Sequence, residues 1–242
     1  MRICFVGPSS RLATLRDVVS PGVVLEARQP KGGPASVESK YEEYLSVPGL
    51  MSLAVQVEQD GFNAIVPECF NDSGIDGMRE LVRIPVVGPG TTSMLVAANL
   101  GHRFGIIDVL ETLVRPIENL AKLSGVAEKL ARIRQIGIPV LELERDQKET
   151  FKRLVEVSRR AIEEDRADVL ILGCAGLASH ALALQEQVKV PVVNPLAVAL
   201  RTAEMLIACK LSHSKRSYPQ PPKSESGRAR AALRTRDATG TL

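Results

Sequence analysis

Aromatic residues are scarce, and the charge is spread unevenly along the chain. Tryptophan is absent from the 242 residues and aromatic residues make up only 3%. This argues against binding of single-stranded nucleic acid, whose bases stack on exposed rings. The net charge of +3 arises in residues 210–242, which carry +6, while residues 1–209 carry −3. A basic surface would have to come from this tail alone, so we expect no nucleic-acid partner.

Long apolar runs and clustered metal ligands are also missing. No run approaches the roughly 18 apolar residues of a membrane span, so no membrane partner is expected. The chain turns polar directly after Gly7, too soon for a signal peptide. The four cysteines contain no CxxC spacing and the three histidines are scattered. We therefore expect a cytoplasmic protein with free thiols, no metal site and no cofactor.

Short apolar runs alternate with helical patterns, which is typical of an α/β protein with parallel sheets. Four runs in each half, in the same order, predict two pseudo-symmetric lobes, each with a four-stranded parallel sheet flanked by helices. The predicted strands are residues 2–6, 23–27, 64–67, 86–87, 104–107, 139–143, 169–172 and 192–193. The first predicted helix is capped by Ser9 or Ser10 and ends at Val19. The other predicted helices are residues 47–59 (with Pro48 in the first turn), 73–82, 91–100, 113–122, 148–164, 178–188 and 197–207.

The domain organisation follows from this repeat. Residues 1–98 and the C-terminal helix in residues 195–222 are predicted to form one lobe, and residues 99–194 the other. Residues 29–42 contain glycine, proline and serine without periodicity, which predicts a long connection near the cleft between the lobes. Residues 223–242 are predicted to be a disordered basic tail.

Two of the four cysteines end equivalent strands. Cys69 lies 16 residues before Pro85, and Cys174 lies 17 residues before Pro191. Each stands where a parallel strand gives way to a helix, the edge at which α/β sheets bind ligands. Two thiols on opposite sides of a ligand can serve as base and acid, as inversion of a carbon next to a carbonyl requires. We expect the helix N-termini to lower the pKa of these thiols, and their N–H groups to stabilise an enolate oxygen.

Other reactive side chains have both a structural and a functional interpretation. Cys4, inside the first strand, and Cys209, at the end of the last helix, are expected to be packing or incidental residues. His180 follows Cys174 and could tune it, although a lone helical histidine is more often a surface or core residue. Glu68 and Asp72 flank Cys69 and could accept a proton or a substrate N–H; solvated loop carboxylates are the alternative.

Loops at the same edge of the sheets predict the surroundings of the substrate. Each leads into a predicted helix N-terminus, which attracts an anion or the polar edge of a ureide ring. The candidate substrate-binding residues are Pro8, Ser9, Ser10, Phe70, Asn71, Asp72, Ser73, Gly90, Thr91, Thr92, Ala175, Gly176, Asn194 and Pro195.

Together these features resemble the aspartate/glutamate racemase superfamily, and within it the hydantoin racemase group. The resemblance spans about residues 2–223. It rests on the order of Gly-Pro-Ala-Ser-Val-Glu-Ser (33–39) with Tyr41 and Pro-Gly-Leu (48–50), Cys-Phe-Asn-Asp-Ser-Gly (69–74), Ile-Pro-Val-Val-Gly (84–88), Leu-Gly-Cys-Ala-Gly-Leu (172–177), and Ser-Lys-Arg (214–216) with Tyr218, Pro221 and Pro222. It implies a cofactor-independent, oligomeric enzyme of two Rossmann-like lobes. It also implies that Cys69 and Cys174 act as acid and base on C5 of a hydantoin or of allantoin in the cleft.

Other functions stay open at this point. Within the superfamily, they are a racemase of a free amino acid such as aspartate, and a maleate-type isomerase that depends on one thiol. A non-catalytic binder of small metabolites is a different class. A redox pair would require the Cα atoms of Cys69 and Cys174 to lie within about 7 Å.

Overall fold

The computed structural model describes residues 1–222, which form two parallel β-sheets with flanking helices. The first sheet has the order β2-β1-β3 and the second the order β5-β4-β6-β7. The strands are β1 (Arg2–Val6), β2 (Val24–Arg28), β3 (Ala64–Pro67), β4 (Phe104–Asp108), β5 (Leu130–Gln135), β6 (Val169–Leu172) and β7 (Val192–Val193). The predicted two-lobed α/β fold is confirmed, and two of the predicted strands need correction.

The fourth strand of the first lobe is reduced to a single β-bridge between Ile65 and Val86. Ile65 donates to the Pro85 carbonyl (2.8 Å) and accepts from the Val87 N–H (2.9 Å). A longer ladder does not form because Pro85 has no N–H and the next helix already begins at Pro89.

The strand predicted at residues 139–143 is wrong. A short 3-10 helix, Val140–Glu142, occupies that stretch, and the strand is Leu130–Gln135. Its charged residues obscured it, because Arg132 and Arg134 lie on an edge strand where charges are tolerated. Arg134 is held by a two-point ion pair with Asp165.

Eight α-helices occur in residues 1–222, and none of them has the length and apolar character needed to cross a membrane. They are α1 (Leu12–Leu15), α2 (Lys40–Gln59), α3 (Ile75–Leu81), α4 (Pro89–Leu100), α5 (Val114–Leu123), α6 (Gln147–Glu163), α7 (Ala181–Val188) and α8 (Pro195–Ala208). The 3-10 turns Ser9–Arg11 and Ala175–His180 precede α1 and α7. The predicted first helix therefore ends at Leu15, well short of Val19.

Helix α2 begins seven residues before the predicted start, so Pro48 lies in its interior. The Ser39 hydroxyl accepts from the Glu42 N–H (3.2 Å), and the Glu42 carboxylate accepts from the Glu38 N–H (2.7 Å). These reciprocal bonds resemble a capping box and fix the early start. The connection before α2 crosses between the lobes, because the Glu38 carboxylate accepts from the Val140 N–H (2.6 Å).

The two lobes exchange segments across their boundary. Phe70 and the α4 residues Met94 and Ala97 follow the first sheet in the chain but lie in the core of the second. Conversely, Ala175 and Leu196 follow the second sheet but lie in the core of the first. The residue directly after each site cysteine is therefore buried in the opposite lobe. This arrangement holds both cysteines at the lobe boundary.

The chain after α8 returns to the first lobe. The Lys215 ammonium group donates to the carbonyls of Arg79 (2.5 Å) and Val82 (2.6 Å) at the end of α3. The His213 Nε2 atom accepts from the Val86 N–H (3.0 Å). This segment therefore satisfies backbone groups that α3 and the bridge strand leave unpaired. The predicted disordered tail, residues 223–242, lies outside the described residues.

Candidate active site

Cys69 and Cys174 occupy equivalent positions in the two sheets. The register pairs Val6 with Pro67 in the first sheet and Ile107 with Leu172 in the second, and each cysteine lies two residues beyond. Both are free, half-buried thiols. They are close enough for charge on Cys69 to raise the pKa of Cys174. The duplicated strands thus bring the two predicted thiols to one boundary.

The Cys69 thiol is bound by its own loop. The Ser73 hydroxyl donates to its sulfur (3.4 Å), and the backbone N–H of Asn71 is a further donor. Burial outweighs these bonds and raises the pKa of Cys69 to about 11, with smaller contributions from the charges of Asp72 and Glu43. The thiol is therefore protonated at neutral pH.

The Cys174 thiol has a similar arrangement with a different charge beside it. The Gly176 N–H donates to its sulfur (3.4 Å). Burial and, next, the charge of Asp108 raise the pKa of Cys174 to about 12, while Arg11 opposes them. The expectation that helix N-termini lower both thiol pKa values is therefore wrong. The N–H donors are present, but removal from water has the larger effect.

Asp108 was not among the predicted site residues. It ends β4 and is fully buried, and its Oδ1 atom accepts from the Val109 N–H (2.7 Å). Its Oδ2 atom has no hydrogen-bond partner among the described residues. Burial raises the pKa of this carboxyl group to about 7. The sequence signal was an acid at the end of a buried strand, beside the strand that leads to Cys174.

Arg11 was also missed, and it changes the interpretation of Glu68. The two side chains form an ion pair and are 23% and 22% exposed. Burial raises the pKa of Glu68 and Arg11 counteracts the shift. The Arg11 guanidinium also lies against Gly176, where a Cβ would be 3.7 Å from Nη2. Glu68 is thus a paired carboxylate, and Arg11 is a cation between the two cysteine loops.

Asp72 links two of the predicted loops. Its buried carboxylate accepts from the N–H groups of Gly90 (2.9 Å) and Thr91 (2.8 Å), at the start of α4. The Thr92 hydroxyl donates to the Gly88 carbonyl (2.6 Å). These N–H groups are therefore occupied by the protein itself, and the α4 N-terminus is capped rather than open to a ligand.

Asn194 has a corresponding role in the second lobe. Its side chain accepts from the N–H groups of Leu196 and Ala197 (both 3.1 Å) and donates to the Ala178 carbonyl (3.0 Å). Of the other predicted substrate residues, five are buried: Phe70, Ser73, Gly90, Ala175 and Pro195. Those that keep some exposure are Pro8, Ser9, Ser10, Asn71, Thr91, Thr92 and Gly176.

The remaining candidates lie in structural positions. Cys4 is fully buried in β1, and burial raises its pKa to about 12. Cys209 is exposed at the end of α8. The His180 ring lies 5.6 Å from the Phe151 ring, and burial lowers its pKa. These observations fit the packing interpretation of Cys4 and His180, and the exposed position of Cys209 fits an incidental residue.

Two parallel α/β lobes that exchange segments, with a thiol at the same strand end of each, define the class of two-lobed racemases and isomerases. The family model described as Asp/Glu/Hydantoin racemase matches residues 10–203. The chain belongs to this family of isomerases.

Proteins with curated names support the same placement. The chain is 33% identical to a hydantoin racemase from Pseudomonas sp. (strain NS671), covering 93% of this chain and 94% of that protein. It is 30% identical to a hydantoin racemase from Paenarthrobacter aurescens, covering 93% and 99%. These relatives are similar over nearly their whole length.

Solved structures agree with the fold. The allantoin racemase from Pseudomonas fluorescens matches with a TM-score of 0.87 and 33% identity, covering 92% of this chain and 97% of that one. A glutamate racemase from Bacillus anthracis matches with a TM-score of 0.66 and 14% identity, covering 94% of each chain. At that identity the second likeness shows the fold alone.

Proposed function

We propose that this protein is a cofactor-independent racemase that inverts the carbon next to a carbonyl group in a 5-substituted hydantoin or a related ureide such as allantoin. The equivalent placement of Cys69 and Cys174, one from each lobe, carries the proposal. Relatives named as hydantoin racemases and neighbours named as allantoin racemases support the substrate class.

The proposed step moves one proton off the carbon and one onto it. A thiolate on one face takes the proton, so that its S–H bond forms as the C–H bond breaks. The electron pair moves into the neighbouring carbonyl as an enolate. The thiol on the other face then donates its proton to the carbon. After one turnover the two cysteines have exchanged protonation states, and the reverse reaction uses the same groups.

The charges around the thiols fit this chemistry. Both thiols are protonated at neutral pH, so the ligand-free protein has an acid on each side and must lose one proton to gain a base. Arg11, between the two loops, is placed to balance negative charge on a thiolate or an enolate. The charge-balancing contribution of such preorganised groups is large in a site shielded from water.

Exchange of the C5 proton in D2O tests the proposal with several hydantoins and allantoin. Cys69→Ser and Cys174→Ser should both abolish racemisation, and either variant is expected to retain deuterium exchange into at most one enantiomer. Cys209→Ser is the control, because that thiol is exposed at the end of α8. Unimpaired racemisation by either site variant would contradict the two-thiol step. No exchange with any ureide by the unaltered protein would contradict the substrate class.

A further inference from the structure

A buried carboxyl group lies beside one thiol and has no counterpart at the same position beside the other. Asp108 ends the central strand of the second sheet, next to the strand that leads to Cys174. A Cβ at Gly173 would lie 3.0 Å from Asp108 Cβ and 3.1 Å from its Cγ. The carboxyl group therefore packs directly against the residue before Cys174, where a side chain larger than that of glycine would make tight contacts.

The sheet registers identify the equivalent position in the first lobe. There Gly7 replaces Asp108 on the central strand, and Glu68 replaces Gly173 on the neighbouring strand. A Cβ at Gly7 would lie 2.8 Å from the Glu68 carboxylate. Each lobe thus has one acid and one glycine at this contact, with the two residues exchanged between strands.

The two acids differ in how their charge is compensated. Arg11 forms an ion pair with Glu68. The Asp108 carboxylate receives one hydrogen bond, from the Val109 N–H, and its second oxygen has none among the described residues. A negative charge compensated this little disfavours a second negative charge beside it.

We propose that Asp108 is a positioning residue for Cys174: its buried carboxylate adds to the effect of burial in keeping that thiol protonated in the resting protein, so that Cys69 ionises more readily and Cys174 serves as the waiting proton donor. The inference rests on the proposed two-cysteine function. It states that the two thiols differ in how readily they ionise in the resting protein. Other ionisable groups act on Cys174 from Cys69, in the loop after β3, and from Arg11, in the turn after β1. Of these, only Arg11 favours the thiolate.

Alkylation by iodoacetamide, followed by mass spectrometry of each cysteine peptide, tests the inference without any substrate. Cys174 is measured in a Cys69→Ser background between about pH 6 and 10, with and without Asp108→Asn. We expect the asparagine variant to react about tenfold faster at Cys174 above neutral pH, because removal of the adjacent charge increases the thiolate fraction. Cys69, measured in a Cys174→Ser background, is the internal control and should change less than about twofold.

Two results would overturn the role of Asp108. One is an unchanged Cys174 rate in a folded Asp108→Asn protein. The other is equal acceleration of both cysteines, which would indicate general loosening. If Asp108→Asn does not fold, the Cys69→Ser protein itself suffices. Its alkylation rate should rise less steeply where Asp108 titrates, near pH 7, and a rise without that break would contradict the inference. Unimpaired racemisation by Cys69→Ser or Cys174→Ser would instead refute the proposed function, so the two failures are distinguishable.

Discussion

The two lobes carry the same residue at the same strand end but surround it with different charges. In the first, the acid before Cys69 is paired with Arg11; in the second, Asp108 comes from the adjacent strand and is only partly compensated. Their edges differ too. The N–H groups of Val86 and Val192 hold equivalent positions, but His213 accepts from the first and Gln185 from the second. A duplicated backbone thus fixes where the cysteines stand, while nearby side chains set how each lobe responds to charge and pH.

Close contact at the lobe boundary gives the largest expected effect. A Cβ at Gly90 would lie 1.9 Å from the Phe70 carbonyl oxygen, a backbone atom that cannot move aside alone. Gly90→Ala should therefore lower the free energy of unfolding by about 3 kcal/mol or more, as measured by urea denaturation. Gly77→Ala is the matched control, because its Cβ would meet the flexible Met51 side chain at 2.9 Å. An equal loss in both variants would contradict the importance of this contact.

The pH dependence of racemisation tests which state the thiols occupy. The pKa values of Cys69 and Cys174 are raised to about 11 and about 12, so the thiolate fraction grows with pH throughout the neutral range. We expect kcat/KM to rise about tenfold per pH unit between about pH 7 and 9. A plateau already reached at pH 7 would mean that the thiolate is present in the resting protein.

Removal of Arg11 should make the first lobe resemble the second. Arg11→Met leaves the half-buried Glu68 carboxylate without its cation, which should lower the free energy of unfolding by about 2 kcal/mol at neutral pH. The double variant Arg11→Met/Glu68→Gln should recover most of this loss, because no charge is then left unpaired. Additive losses in urea denaturation of the two single variants and the double variant would show that the pair is not coupled.

Lowering the pH should destabilise the sheet edge of the first lobe and leave that of the second lobe unaffected. Burial lowers the pKa of His213 to about 4, whereas the unfolded chain binds this proton near pH 6.5. Protons therefore favour unfolding as the pH falls through this window, at a cost on the order of 3 kcal/mol. His213→Gln gives the first lobe the amide acceptor of the second, and should reduce the loss of stability between about pH 6.5 and 4.5. The same loss in both proteins would show that His213 is not responsible.

Local patterns predicted the parts of the fold that depend on buried strands. The strands at residues 2–6, 64–67 and 169–172 were predicted with the bounds observed, because helices and neighbouring strands cover them and all their residues except Arg2 are apolar. Strand β5 was missed because a charged residue such as Arg134 indicates an exposed loop in the sequence, and its ion pair with Asp165 forms only in the folded protein. The start of α2 was missed because Pro48 suggested a first turn.

The candidate site, like the fold, was predictable from the sequence only in part. The cysteine pair was predictable because duplication repeats the strand, the thiol and the spacing to a proline. The role of Arg11 was not, because its partner Glu68 lies 57 residues away and the registers of different strands bring them together. The thiol pKa values were predicted in the wrong direction, since the depth of burial is a property of the assembled lobes. The substrate-binding residues and the domain boundaries remain predictions.

The exchange of Phe70 and Ala175 between the cores also bears on how the molecule comes apart. Neither half of the chain forms a complete hydrophobic core by itself, because each contributes the residue directly after its cysteine to the core of the other half. A movement that separates the halves must therefore pull Phe70 and Ala175 out of the opposite cores and displace both thiols together. We therefore expect a single cooperative melting transition, in which the geometry of the cysteine pair and the packing between the halves are lost at the same temperature.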